Sequence, residues 1–274
     1  MKSWLRRQLH RLKRARRNLL SALALRFPRA IAFLPAIAPL AVREYKAAPR
    51  ATDELFIFLP GISDVLEDYE TGGFIEAVLQ SGAPADMIVV DAHFGYYLRQ
   101  IVIERLRTDV IAPARAKGGY RKIWLVGISL GGFGALLYAR EHPADIDGLV
   151  LLAPFLGHAQ NIARIGATGD LRQWQPANAP ADTEHEQALW IWLREYAGST
   201  QTRPGIYLGY GERDKFAAAN RLLANVLPRE RVFTAAGAHD WRTWRRLWQM
   251  FLVSRLREAQ RGGETGPTVP HMEK

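Results

Sequence analysis

The chain has no cysteine among its 274 residues. That absence excludes disulfides, thiolate metal sites and a cysteine nucleophile. It also lacks an apolar run long enough to span a bilayer, which takes about 20 consecutive residues. The nearest candidate, residues 30–42 (AIAFLPAIAPLAV), is short and is interrupted by Pro35 and Pro39. Acidic residues are almost missing from the N-terminal segment. Residues 1–50 hold 13 Lys or Arg and one acid, Glu44, a balance of +12. The remaining 224 residues carry 24 basic and 26 acidic groups, so the overall +10 belongs to an appendage on a nearly neutral body. A neutral body counts against a basic groove for nucleic acid. A hydrophobic content of 48% excludes a disordered chain.

In the basic segment, Leu5, Leu9, Leu12, Leu19 and Leu23 approximate a helical stripe, and Arg and Lys fill much of the rest. A basic amphipathic helix suits an anionic membrane surface. A solvated arm without specific contacts and an arm for another acidic partner are the alternatives. On the membrane reading, residues 1–29 are a peripheral attachment, separable from any chemistry. A basic region before an apolar one also has the outline of a signal peptide, but this one is too long and its prolines are badly placed. The expected location is therefore cytoplasmic, peripheral at the inner membrane face. Residues 1–52 read as arm and linker, with the linker at 43–52. Residues 53–258 read as one folded domain and 259–274 as a disordered tail.

From residue 53 onward the chain alternates short apolar runs with helical periodicity. The runs are Leu55–Leu59, Met87–Val90, Ile123–Val126, Leu149–Leu152, Ile206–Leu208 and Arg231–Thr234. Helical patterns cover 73–80, 98–117 (ending near Pro113), 133–141, 215–227 and 241–256. Unbroken apolar strands joined through helices predict an α/β fold: a doubly wound, mainly parallel sheet of about six strands. The rhythm breaks at about 155–203, a polar stretch carrying Trp174, Trp190 and Trp192. It reads as a helical cap insertion at the edge of the sheet where open α/β sheets keep their sites.

Gly127-Ile128-Ser129-Leu130-Gly131 follows the strand IWLV and opens the helix GGFGALLYAR. A G-x-S-x-G turn between strand and helix exposes the serine hydroxyl on strained backbone, and its glycines let the turn close tightly. The helix N-terminus then points at any oxyanion formed there. A glycine-rich turn with an ordinary serine is the bland alternative. No lysine follows in P-loop fashion, and the spacing is not that of a dinucleotide site.

GISLGGFGALLYA, the LPG turn after the first strand, YGERD after the fifth and GAHDW after the sixth resemble the α/β-hydrolase superfamily, its bacterial carboxylesterase-like members above all. The likeness covers about residues 54–256. It implies a Ser–acid–His triad in that chain order and a sheet that here lacks its first strands, unless 40–52 contributes.

A serine hydroxyl needs a base. His239, in the small-residue loop Gly237-Ala238-His239-Asp240, stands at the superfamily's base position. His93 and His158 follow strands and could also line a site, while His142 reads as a cap for its helix. Asp214 follows the fifth strand and precedes His239 by 25 residues, room for one helix and one strand, which suits the orienting acid. Glu212 is its rival, and Asp240 reads as a helix cap. The expected oxyanion donors are the backbone N–H groups of Leu130 and Ile62, since Pro60 has none.

These residues predict a serine hydrolase that cleaves a small-molecule carboxylic ester or thioester through an acyl-enzyme, with no cofactor and no metal. An acyltransferase on the same triad is one alternative. A non-catalytic hydrolase-like module recruited through the basic arm is the other. Trp241, Trp244 and Trp248 recur at helical spacing and predict a packed face. Asp64, Glu67, Asp68 and Glu70 read as a solvated loop, since no histidine nearby completes a metal site.

Overall fold

The computed structural model describes residues 2–26, 36, 39–47, 52–82, 85–117, 119–176, 184–198 and 204–264. Among the described residues seven strands form one sheet: β1 (Val42–Tyr45), β2 (Glu54–Leu59), β3 (Asp86–Val90), β4 (Lys122–Ile128), β5 (Gly148–Leu152), β6 (Gly205–Gly211) and β7 (Val232–Ala235). Their order is β1-β3-β2-β4-β5-β6-β7. All neighbours are parallel except β1, which pairs antiparallel with β3. The expected six strands are therefore seven, and the linker expected at 43–52 supplies most of β1. Its alternating Val-Arg-Glu-Tyr is too short and too polar to announce a buried strand. Those properties suit an exposed edge, where charged side chains discourage further pairing.

The helices are α1 (Lys2–Arg26), α2 (Asp68–Thr71), α3 (Phe74–Gln80), α4 (Phe94–Leu98), α5 (Val102–Leu106), α6 (Ala112–Ala116), α7 (Leu130–Glu141), α8 (Ala159–Gly166), α9 (Glu184–Gly198), α10 (Ala217–Ala224) and α11 (Trp241–Glu264). The pattern at 98–117 begins later than expected, because Gln100 takes a positive φ of 56° and breaks the chain after α4. Pro113 does not end it. A π-helical turn at Arg107–Ile111 precedes α6, which carries the proline in its first turn, where a missing N–H costs little. The tail expected from 259 is helical through Glu264. Residues 265–274 lie outside the described residues, as do 27–35.

Side chains alternate across a strand, so Phe56 and Phe58 face one side of the sheet and Leu55, Ile57 and Leu59 the other. All five are fully buried, so both faces are covered. Phe56 meets Trp248 and Phe251 of α11 edge-on at 5.2 and 6.3 Å, and Phe74 of α3 stacks on Trp248 at 5.9 Å. Large buried side chains of this kind each contribute about 1.5–3 kcal/mol. Among its described residues the insertion carries the helices α8 and α9. Its Trp190 is buried and donates to the carbonyl of Leu156 at 2.7 Å, and Trp174 is buried too.

The N-terminal segment is no free arm. α1 lies against the loop that follows β2. His10 bonds to Asp68 at 2.9 Å, Arg17 pairs with Asp91 at 2.8 Å, and Arg14 stands 3.6 Å from Asp64 and 3.5 Å from Asp68. Ser21 Oγ donates to the carbonyl of Ile62 at 3.0 Å. The acid loop expected to be solvated is its docking seat, with Asp64 and Asp68 buried. Sequence spacing gave no sign of this, since the partners lie 41–74 residues apart.

Candidate active site

The chain order turns back on itself between β2 and β4: β3 is added on one side of β2 and β4 on the other. Open α/β sheets bind ligands at the carboxyl ends of the strands flanking such a point. Here Leu59 of β2 is level with Gly127 of β4, so the loops leaving both strands meet. A Cβ built on Gly61 would stand 3.6 Å from Ser129 Cβ.

Ser129 has φ 52° and ψ −113°, a conformation that non-glycine residues rarely adopt. Holding one residue there costs about 1–3 kcal/mol, which the surroundings must offset. Ser129 N–H donates to Leu152 O at 3.0 Å, and its carbonyl accepts from Gly132 and Phe155 at 3.1 and 2.9 Å. The turn is tight enough to demand glycines. A Cβ on Gly127 would come within 2.4 Å of Gly131 O, and one on Gly131 within 2.1 Å of Leu59 O.

His239 Nε2 lies 3.0 Å from Ser129 Oγ, and its Nδ1 lies 2.8 and 3.0 Å from the two carboxylate oxygens of Asp214. The Asp214 side chain is fully buried and that of His239 is 14% exposed. Backbone bonds stitch the two loops together: Arg213 N–H donates to Gly237 O at 2.9 Å and Glu212 N–H to Ala235 O at 3.0 Å. Phe216 N–H donates to Asp214 Oδ1 at 2.8 Å, which fixes the carboxylate. The imidazole is held edge-on between Phe216 and Trp244, at 5.0 and 4.9 Å.

The structure thus brings Ser129, His239 and Asp214 together, with the Ile62 loop and the start of α7 at Leu130 beside them. Glu212 is exposed. Asp240 accepts from Thr243 N–H at 2.9 Å and caps α11. His93 caps α4 by accepting from Gly95 N–H, and His158 bonds to Glu186 of the insertion. Among the described residues, no cluster of His, Asp and Glu could hold a metal ion.

Two features escaped the sequence reading. Phe133, Phe155 and Phe216 are partly exposed and touch in series, at 5.8 and 5.5 Å, up to the His239 ring. The signal for Phe155 and Phe216 was their place just past β5 and β6. The second feature is Asp64, which accepts from Gly61 N–H at 3.0 Å and from Trp241 Nε1 at 3.3 Å. Burial, and then the neighbouring Asp68 carboxylate, push its pKa up to about 6.

Residues 104–183 match the family described as serine aminopeptidase, S33. That stretch includes Ser129 and stops short of Asp214 and His239. No curated protein matches the sequence. Solved structures with a similar fold include a ferulic acid esterase, with 12% identity, TM-score 0.53, and 79% of this chain and 97% of that chain covered. Est1E from Butyrivibrio proteoclasticus shows 16% identity and TM-score 0.52, over 81% of this chain and 95% of its own. An S-formylglutathione hydrolase from Staphylococcus aureus shows 14% identity and TM-score 0.52, over 79% and 97%. By sheet order, serine turn and structural likeness, the chain has the α/β-hydrolase fold.

Proposed function

We propose that the protein is a serine hydrolase that cleaves a carboxylic ester or thioester with an apolar acyl or aryl group. The observation that carries this reading is the continuous hydrogen-bonded line from Ser129 Oγ through His239 to Asp214. His239 Nε2 takes the hydroxyl proton as Ser129 attacks the carbonyl carbon. Asp214 holds the ring with its Nδ1–H toward the carboxylate and stabilises the imidazolium that forms. The negative oxygen of the tetrahedral intermediate is bound by the N–H groups of Leu130 and Ile62. Leu130 opens α7, where the first N–H groups lack helical acceptors. In the Ile62 loop, Gly61 N–H is already taken by Asp64. His239 returns the proton to the leaving group, then activates a water that releases the acid from Ser129.

The aromatic series Phe133–Phe155–Phe216 supports an apolar substrate, because it gives an acyl or aryl group a wall that ends at His239. The neighbours of similar fold are esterases and hydrolases by their names, which agrees with this class.

The test is labelling with a fluorophosphonate probe, followed by turnover of nitrophenyl esters of increasing chain length. Wild type should label and Ser129→Ala should not, with a loss of about 10⁴–10⁶ in kcat. Near-wild-type turnover by Ser129→Ala would remove Ser129 from the mechanism. A folded wild type that neither labels nor turns over esters would overturn the reading.

A further inference from the structure

We infer that the outward face of α1 docks on an anionic phospholipid bilayer and holds the Ser129 site at its surface. Amphipathic helices normally pack their apolar stripe against the body, because burying that surface drives the packing. α1 is the other way round. Its body-facing side presents His10, Arg14, Arg17 and Ser21, tied to Asp68, Asp64, Asp91 and Ile62. Four of its leucines are left in solvent: Leu9 is 51% exposed, Leu12 66%, Leu19 61% and Leu23 40%. At 100° per residue these four fall within an arc of about 80°, a single stripe along the helix. Trp4, near the helix start, is 58% exposed.

The stripe has charged company suited to lipid headgroups. Arg16 lies within the same arc and Arg26 at its edge, and both are exposed, while the exposed Arg6, Arg7 and Arg11 lie farther round the helix. Guanidinium groups within and beside an exposed leucine stripe complement a surface that is apolar below and anionic above. No helix among the described residues is long and apolar enough to cross a membrane, so the contact is made along the helix rather than through the bilayer. Arg16, and Leu20 at the edge of the stripe, also line a cavity of about 440 Å³ between α1 and the body.

The docking seat joins this surface to the site. The body side of α1 holds Ile62 O through Ser21 and Asp64 O through Arg17 at 3.3 Å. A bilayer on the outer face would therefore lie one helix away from the loop beside Ser129. Resting on the serine-hydrolase reading, this names the substrate class: esters of amphiphiles partitioned into the membrane.

The experiment uses the full chain and a Leu12→Ser, Leu19→Ser, Leu23→Ser variant, co-sedimented with phosphatidylglycerol-containing vesicles and with pure phosphatidylcholine vesicles. Wild type should sediment with the anionic vesicles near 0.1 M salt. It should be released toward 1 M, where the Debye length falls from about 10 Å to about 3 Å. The variant should partition at least tenfold less. It should match wild type in thermal unfolding and on a soluble short-chain ester, and lose at least tenfold on a long-chain ester carried in the vesicles. A wild type that ignores anionic vesicles at low salt, or a variant that binds equally, overturns the docking. A leucine-dependent dimer without lipid would assign the stripe to a second copy instead. Equal turnover of the vesicle-borne ester despite lost binding overturns the substrate class. Binding without any esterase activity strikes the hydrolase reading and leaves the docking standing.

Discussion

Ser21 Oγ on α1 donates at 3.0 Å to the carbonyl of Ile62, the residue whose N–H we propose as an oxyanion donor. An N-terminal helix and the loop beside Ser129, 41 residues apart, are thus joined. Ser21→Ala should lower kcat on a soluble ester by about two- to tenfold, with little change in KM. A hydrogen bond of this kind is worth about 0.5–1.5 kcal/mol, and about 1.4 kcal/mol is tenfold in rate. By the same argument, removal of residues 1–29 should reduce turnover. That reverses the expectation of a separable arm, because it strips the cations from buried Asp64 and Asp68. Steady-state kinetics decide it: a truncated protein with full kcat would show that the loop holds itself.

Asp214→Asn should cost about 10⁴ in kcat and Asp240→Asn less than tenfold. The asparagine at 214 can donate its amide N–H to Nδ1, which favours the wrong tautomer: the ring proton then sits on Nε2, which can no longer accept from Ser129. Asp240 bonds to Thr243 N–H and Oγ1, at 2.9 and 3.0 Å, so its loss touches the start of α11. The expected price is thermal: a cap is worth about 1 kcal/mol. A larger kinetic loss at Asp240 would sink the assignment of the acid.

The sheet was legible because parallel strands buried on both faces must be continuously apolar, and Leu55–Leu59 and Leu149–Leu152 are. The serine turn was legible because tight geometry forces glycine at 127 and 131. What the sequence hid depends on long-range pairing. β1 is an exposed edge, so nothing required it to be apolar. Asp64 and Asp68 looked solvated because their partners, His10 and Arg14, come from a segment whose charge alone suggested a free arm. The aromatic series at the site joins three separate connections, and no single stretch of chain contains its pattern.

Gly131→Ala should unfold the elbow while leaving the chemistry's side chains intact. The new Cβ would meet Leu59 O at 2.1 Å, a backbone atom held in the sheet. The clash must move either the end of β2 or the start of α7, and overpacking of this kind costs about 1–3 kcal/mol. Because Leu59 leads into Pro60 and Gly61, the oxyanion loop moves with it. Urea unfolding should show the lost stability, and fluorophosphonate labelling should slow at least tenfold. A variant with wild-type midpoint and labelling rate would show that the turn has slack.

Asp64→Asn tests the buried acid beneath the proposed oxyanion loop. Burial, and then Asp68, raise Asp64 to about 6, above the value near 4 of an exposed carboxyl. Arg14, the Gly61 N–H and Trp241 Nε1 pull the other way and do not offset this. A folded-state value above the unfolded one means that the folded protein holds the proton longer. The stability this proton contributes is present at acid pH and is lost as pH climbs from about 4 through about 6. Asparagine offers Gly61 N–H the same acceptor and has no proton to lose. The stability of wild type relative to Asp64→Asn should therefore fall by about 2 kcal/mol between pH 4.5 and pH 7. Urea midpoints of both proteins at the two pH values measure it. If the difference is flat with pH, Asp64 is ionised throughout and Arg14 holds it as a true ion pair. If it slopes the other way, the carboxylate is the favoured folded form, and α1 is seated by that charge.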